Sequence, residues 1–394
     1  MNKPLATAQY ILSGNKKLRC GFTTGSAAAM AAKAASRLLF FRERSQNISI
    51  ITPKGWIAQS PVIYEDTEPF TKHTERDVRV RAGVVKDAGD DKDATNGIEI
   101  FATVEIIERK KNGKIEISID GGKGVGRVTK AGLDREVGEA AINSTPRAMI
   151  EREVREVAED ADFSGTIRVI IDVPQGEEIA KKTFNENLGI IGGISIIGTT
   201  GVVEPMSEQA LIDALEAEVS VAYEAVKDKD VRPLIITPGE YGEKYLNENC
   251  LDLLKQAEPV KCSNFIGNVI DMAVEKGFTH LFIAGHAGKI VKIAGGIFNT
   301  HSSVADCRME IMASHAALNG ASLKTIQDIM TAVTVDSALD ILLNESRELY
   351  ERVLKSISIK IKEHLKHRIG EGTSFGYLCF TYKHGLLFTD LFAL

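Results

Sequence analysis

Short runs of alternating apolar and polar residues dominate the chain between Ile48 and Ile119. ISIITP, VRVRAGVV, IEIFATVEII and KIEISID follow one another, separated by turn residues that include Asn112-Gly113. This pattern predicts a mostly antiparallel sheet. Ahead of it, LRCGFTTGSAAAMAAKAASRLLFF (residues 18–41) predicts an alanine-rich helix covering one face, with Thr24 or Ser26 as N-cap. PRAMIEREVREVAEDA (residues 146–161) has the helical period, with Pro146 at its start. From Thr166 onward strands alternate with helices. TIRVIIDVP leads to EEIAKKTF, a glycine-rich stretch and a helix over 206–227; VRPLIITPG leads to YGEKYLNENCLDLL; a helix over 263–276 precedes THLFIAG and a helix over 288–297. That alternation predicts a mostly parallel sheet covered on both faces. Two amphipathic helices and an irregular tail follow about residue 335. The expected architecture is α/β combined with α+β in three parts: an antiparallel-sheet domain with the Ala-rich helix over 1–145, a mostly parallel α/β domain over 146–340, and a helical extension over 341–394.

Composition narrows the function classes more than the fold. A 394-residue chain with 44% hydrophobic and 26% charged residues is of ordinary globular make-up. A net charge of -6 gives no general attraction to nucleic acid or to an anionic membrane. The longest uncharged run, Leu188–Val203, is too short and glycine-rich to span a bilayer, and MNKPLATAQYILSGNKK lacks the apolar centre of a secretory leader. Five scattered cysteines without a C-x-x-C pair argue against a disulfide framework or structural zinc, and for the reducing cytoplasm. A homo-oligomer is compatible with all of this.

The stretch that stands out chemically is LGIIGGISIIGTTGVVEPM, Leu188–Met206. Its apolar run Ile194–Ile197 predicts a buried strand, and Pro205 suits the first turn of a following helix. Gly192, Gly193, Gly198 and Gly201, with Thr199 and Thr200, then form a rim of backbone N–H groups able to hold a phosphate, a carboxylate or a nucleoside. A packed chain crossing in which glycine relieves crowding accounts for the same residues equally well. Loops at four expected strand ends share this small-residue character: 173–176, 198–201, 237–239 and 285–289. Ligands of open parallel sheets bind at such ends. His286, Lys289 and Lys292 recur every three residues and would share a helix face suited to a polyanion; a solvated face is the alternative, although Ile290, Val291 and Ile293 between them imply a helix otherwise buried. Asn299-Thr300-His301-Ser302 is expected to start another helix, with His301 either an N-cap neighbour or a site residue. At Thr23-Thr24-Gly25 the helix start has amides that suit an anion, and an ordinary buried helix start is the alternative.

Three further motifs are weaker. Asp120, Gly122, Gly124 and Gly126 match a D-x-G-x-G-x-G nucleotide loop, but no helix start follows and the preceding strands lack βαβ alternation. The acidic run Lys86–Gly97 fails as a calcium hand: counted from Asp91, the sixth residue is Asn96 and the twelfth Ala102. Asp87 within it is a candidate site residue in an otherwise ordinary acidic loop. His364, His367 and His384 lack a carboxylate or thiolate to complete a metal site, so surface histidines are expected and no metal.

Together, LRCGFTTGSAAAMAAKAA, VKDAGDDKDATNG, GGKGVGRVTKAGL, AKKTFNENLGIIGGISIIGTTGVVEPMSE, ITPGEYGEKY, VKCSNFIGNVID, GHAGKIVKIAGGIFNTHS and ADCRMEIMASHAAL resemble the signature blocks of the CbiD family. They run in order from residue 18 to about 320. The resemblance implies transfer of the methyl of S-adenosylmethionine to carbon 1 of cobalt-precorrin-5B, giving cobalt-precorrin-6A in anaerobic cobalamin biosynthesis. It implies a fold unlike that of the other precorrin methyltransferases. Cobalt would arrive inside the tetrapyrrole substrate, with no metal held by the protein. On this reading the cofactor lies along Gly192, Gly193, Gly198, Thr199, Thr200, Gly201 and Glu204, and the tetrapyrrole meets His286, Lys289, Lys292 and His301, with Thr23, Thr24, Gly25 and Asp87 facing in. Two other classes remain: a non-catalytic tetrapyrrole carrier or scaffold, and a phosphate-binding enzyme such as a kinase, which the missing G-x-x-x-x-G-K-[ST] weakens.

Overall fold

The computed structural model describes residues 9–13, 16–65, 79–111 and 113–390. Most of the stretch read against a secretory leader, and Asn112 of the expected turn, lie outside these residues. The protein is a mixed α/β chain that divides into two compact units, Met1–Glu208 and Gln209–Leu394.

The first unit is built on a six-stranded sheet. Its strands are β1 (Asn47–Ile51), β2 (Ile57–Tyr64), β3 (Arg79–Val85), β4 (Glu99–Arg109), β5 (Ile115–Gly121) and β6 (Gly165–Asp172), in the order β1-β2-β3-β4-β6-β5. All neighbours are antiparallel except β6 and β5, which run parallel. Alternation sets the buried face: Ile48 and Ile50 of β1, then Val80, Ala82, Val84, Ile100, Ala102 and Val104, turn inward. Helix α1 (Thr24–Phe41) and helix α2 (Ser144–Asp160) pack in the same core. Alanines 27, 28, 29, 31, 32, 34 and 35 are all essentially inaccessible, because a methyl side chain lets α1 lie close to its neighbours on every side. Lys33 of α1 reaches the buried Glu153 of α2 at 2.6 Å, so that carboxylate is paired. The strand TIRVIIDVP therefore belongs with the first sheet, and the expected boundary at 145/146 differs from the division after Glu208. Periodicity shows where a strand lies but not which sheet it enters.

The second unit has a five-stranded sheet: β7 (Pro233–Thr237), β8 (Pro259–Lys261), β9 (His280–His286), β10 (Ser374–Thr381) and β11 (Gly385–Asp390), ordered β8-β7-β9-β10-β11. The first four are parallel and β11 is antiparallel at the edge. Every residue of β7 is buried, as a strand covered on both faces requires. Leu234 and Ile236 face one core and Ile235 the other, where it meets Leu246, Phe282, Leu378 and Phe380. The tail expected to be irregular supplies β10 and β11, so residues 374–390 join this sheet after a helix over Arg347–Ile369.

Candidate functional site

The glycine-rich stretch lies in the first unit and is knitted to the start of α1. Thr23 is the N-cap, its Oγ1 accepting from Ser26 N at 3.2 Å. Gly25 N donates to Ile197 O (3.0 Å), Thr23 N to Gly201 O (3.2 Å) and Ala27 N to Thr23 O (3.1 Å). Thr24 Oγ1 accepts from Ile197 N at 2.8 Å, and Ser26 Oγ donates to Gly201 O at 2.6 Å. The amides at 25–27 that suit an anion are thus all bonded within the protein. A Cβ at Gly198 would stand 2.4 Å from the Thr23 side chain, so glycine is required there for the chain to reach the helix start. Thr23, Thr24 and Gly25 hold this loop in place rather than facing a ligand.

The strand expected over Ile194–Ile197 shrinks to Gly193–Ile194, paired in parallel with Gly124–Val125. At this crossing a Cβ on Gly193 or on Gly176 would lie about 2 Å from Gly124 O (2.1 and 2.0 Å). The D-x-G-x-G-x-G run serves the same crossing, and Asp120 pairs with Arg127 at 2.8 Å. Of the residues expected to hold a cofactor, Gly192 has no heavy atom within 4 Å of its missing Cβ, and Thr199 and Thr200 are exposed. Glu204 is half-buried and paired with Lys54. The following helix, α3 (Glu208–Glu224), begins three residues after Pro205, and Met206 between them has φ 60.

The acidic loop is bonded internally. Asp87 takes both arms of Arg19 (2.6 and 2.7 Å), and that guanidinium holds its carboxyl below the usual carboxylate range. Asp90 accepts from Arg19 N, Asp91 from Met206 N, and Asp93 pairs with the buried Lys86 at 2.5 Å. Asp87 also borders a cavity of about 250 Å³ beside α1, with Phe22, Met30 and Ile63. Among the described residues no group of three or more His, Cys, Asp or Glu could hold a metal.

The second unit offers a different environment. The connection leaving β7 runs to β8 on one side, whereas that leaving β9 runs to β10 on the other. The carboxyl ends of β7 and β9 therefore flank a reversal of strand order, where open parallel sheets bind ligands. The four small loops are not equivalent: 237–239 and 285–289 lie here, and 173–176 and 198–201 lie in the first unit. After β7 the chain turns through Gly239 (φ 97) into α4 (Glu240–Asn249). After β9, His286 caps a single helical turn, Ala287–Ile290, with Nδ1 accepting from Gly288 N at 3.2 Å. Burial pushes the imidazole pKa below its ordinary value, so the ring is neutral near pH 7. With Nδ1 used as acceptor, Nε2 carries the proton and is a donor. Lys289 Nζ donates to Ser263 O at 2.9 Å, and burial lowers its pKa as well.

An aromatic group surrounds His286. Tyr241 of α4 and Tyr382 beyond β10 stand edge to face at 5.6 Å, and their centroids lie 6.0 and 6.1 Å from that of His286. Phe380 is behind them, stacked on Tyr245 at 3.9 Å, and Lys244 Nζ lies 5.9 Å from the Tyr382 centroid. Tyr241, Lys244 and Tyr382 escape a reading of the sequence. TPGEYGEKY shows a tyrosine and a lysine just after a strand-end glycine, but only the pairing of β9 with β10 brings Tyr382 beside them.

Lys292 and His301 depart from expectation. The helix expected over 288–297 is the turn Ala287–Ile290 followed by a 3-10 segment, Val291–Gly295. Lys292 is 2% exposed and its Nζ donates to Thr300 O (3.0 Å) and Ala305 O (2.8 Å). It pins the returning chain and offers no face to a ligand. No helix starts at Asn299–Ser302; α5 runs Arg308–Leu318. His301 is exposed, its Nδ1 2.5 Å from Ser303 Oγ. His384, expected at the surface, has a side chain 10% exposed with Nε2 3.4 Å from Asp340.

Comparison with known proteins gives a consistent answer. Residues 11–205 match the family model described as CbiD, and residues 299–390 match that of the CbiD C-terminal domain. The cobalt-precorrin-5B C(1)-methyltransferase of Ruminiclostridium cellulolyticum is 46% identical over 363 residues, covering 91% of this chain and 88% of its own. The enzyme of the same name from Alkaliphilus metalliredigens is 40% identical over 379 residues, covering 96% and 94%. Among solved structures, the cobalamin biosynthesis protein (cbiD) from Archaeoglobus fulgidus is 30% identical, covering 75% of this chain and 86% of that one, with a TM-score of 0.38.

Proposed function

The chain belongs to the CbiD family, and from that premise we propose that it methylates carbon 1 of cobalt-precorrin-5B to give cobalt-precorrin-6A in cobalamin biosynthesis. The observation that carries this reading is the identity of 40–46% to enzymes of that printed name across most of both chains. S-adenosylmethionine is the methyl donor. The reacting carbon displaces the sulfonium in line: a carbon–carbon bond forms, the carbon–sulfur bond breaks, and its electron pair stays on sulfur in S-adenosylhomocysteine. The protein's part is to hold the two reactants aligned and to keep water away. Cobalt is part of the substrate.

For the donor, the open side of the 188–206 stretch supplies Gly192, Thr199, Thr200 and Glu204. Gly193, Gly198 and Gly201 act behind them by letting the chain pack closely. For the tetrapyrrole, the carboxyl end of the second sheet supplies His286 and Lys289. The test is turnover: purified protein with cobalt-precorrin-5B and methyl-labelled S-adenosylmethionine should yield a singly methylated corrinoid and S-adenosylhomocysteine. Tetrapyrrole binding without transfer would favour the carrier instead. Glu204→Gln should raise the KM for the donor; an unchanged KM removes Glu204 from the site.

A further inference from the structure

This inference rests on the methyltransferase reading and deepens it. We propose that the surface at the carboxyl ends of β7 and β9 recognises the tetrapyrrole as a flat ring with a carboxylate rim, through Lys289 and His286 on one carboxylate and the faces of Tyr241 and Tyr382 on the ring.

Lys289 is the anchor. Its hydrogen bond goes to a neutral carbonyl, its charged neighbour is Lys292, of like sign, and the Cys262 thiol lies beside it. Burial pushes that thiol up to about 12, so it is uncharged and offers no compensation. A half-buried ammonium without a carboxylate partner is held at a cost that an incoming anion removes. Of the nearby acids, Glu243 pairs with Lys261 at 2.6 Å, Asp340 with Lys383 at 2.5 Å, and Glu240 is exposed; Asp336, 3.9 Å from His384 Nε2, acts on His286 rather than on Lys289. Gly239 keeps the ammonium uncovered, because a Cβ there would stand 3.6 Å from Lys289 Nζ. His286 adds an Nε2–H donor that is present while the ring is neutral.

The ring contact comes from the tyrosines. Tyr241 is 62% and Tyr382 51% exposed although the two rings touch. Exposed aromatic faces beside cations suit a planar, electron-rich ligand with anionic side chains. Lys244, above Tyr382, adds charge of the right sign at the rim.

The test separates this site from the overall function. Equilibrium dialysis with cobyrinic acid, a stable corrinoid with free side-chain carboxylates, is followed by corrin absorbance. Its amidated analogue cobinamide is the control. Wild-type protein should bind cobyrinic acid. Lys289→Met should weaken binding about tenfold or more, as loss of one charge-assisted contact predicts, and Lys289→Arg should restore part of it. Tyr241→Ala/Tyr382→Ala, at exposed positions that leave the fold intact, should weaken both corrinoids. Cobinamide should not distinguish wild type from Lys289→Met. In turnover, the KM for cobalt-precorrin-5B should rise in both variants while that for S-adenosylmethionine stays. Failure of wild type to bind cobyrinic acid, or equal binding by all variants, overturns the site. Normal turnover with unchanged tetrapyrrole KM in the variants overturns the site alone, whereas no turnover by wild type overturns the methyltransferase reading.

Discussion

Replacing Lys292 by methionine separates a structural lysine from a substrate-binding one. The side chain is 3% exposed, and its ammonium donates to the carbonyls of Thr300 and Ala305 and lies 3.9 Å from Asp306. Methionine fills much the same volume but donates nothing. Two carbonyls then lose their partner, that of Thr300 buried and that of Ala305 partly so, at about 1–3 kcal/mol for each acceptor that stays dry. Relief of the ammonium's desolvation, which lowers its pKa in the fold, offsets part of this. Asp306 is not stranded, because it also pairs with Arg308 at 2.5 Å. The net loss is about 2–4 kcal/mol, or roughly 4–16 °C in the melting of a unit of this size. Differential scanning calorimetry should show the drop, and at temperatures where the variant is folded its tetrapyrrole KM should match wild type. A variant that melts with wild type but has a tenfold higher tetrapyrrole KM would refute the structural assignment.

Gly198→Ala and Gly192→Ala should differ sharply although they lie six residues apart. The former puts a methyl 2.4 Å from the Thr23 side chain at φ 129 and should cost about 2–3 kcal/mol of stability; the latter meets nothing within 4 Å and should cost about 1 kcal/mol for its φ of 85. Equal melting temperatures would contradict the packing described at the α1 start. The imidazole of His286 should titrate below its ordinary value of 6.5 by NMR and show the Nε2–H tautomer. Since its folded pKa is the lower one, its contribution to stability is full above about 6.5 and is lost as pH falls through the folded value. A midpoint above 6.5 would reverse that sign. Under native alkylation the exposed Cys307 should react, whereas the buried Cys262 and Cys379, whose thiols burial pushes up, should react only after unfolding. Mass spectrometry of peptides reads the difference directly.

Much of the local structure follows from the sequence by itself. Alternation in NISII marks a half-buried strand, because such a sheet face repeats every two residues, and the β-branched run of IEIFATVEII marks a strand buried on both faces through Ile100–Val104. The alanine run marks a helix buried on nearly all sides, and the glycines closing VRPLIITPG and THLFIAG mark strand ends where a ligand loop belongs. Family membership was legible too, since the signature blocks lie in linear order. Tertiary structure decided what each of those residues does. Gly198 and Gly192 look alike in sequence, yet one lies against Thr23, 175 positions away, and the other faces open space. Lys289 and Lys292 share a spacing of three, yet the chain through Thr300–Ala305 folds back over only the second. Tyr382 joins Tyr241 and His286 because β10 adds to β9 in the parallel sheet. Periodicity reports how a segment buries its own face, but long-range pairings determine which backbone amides, cations and aromatic rings remain available to a ligand.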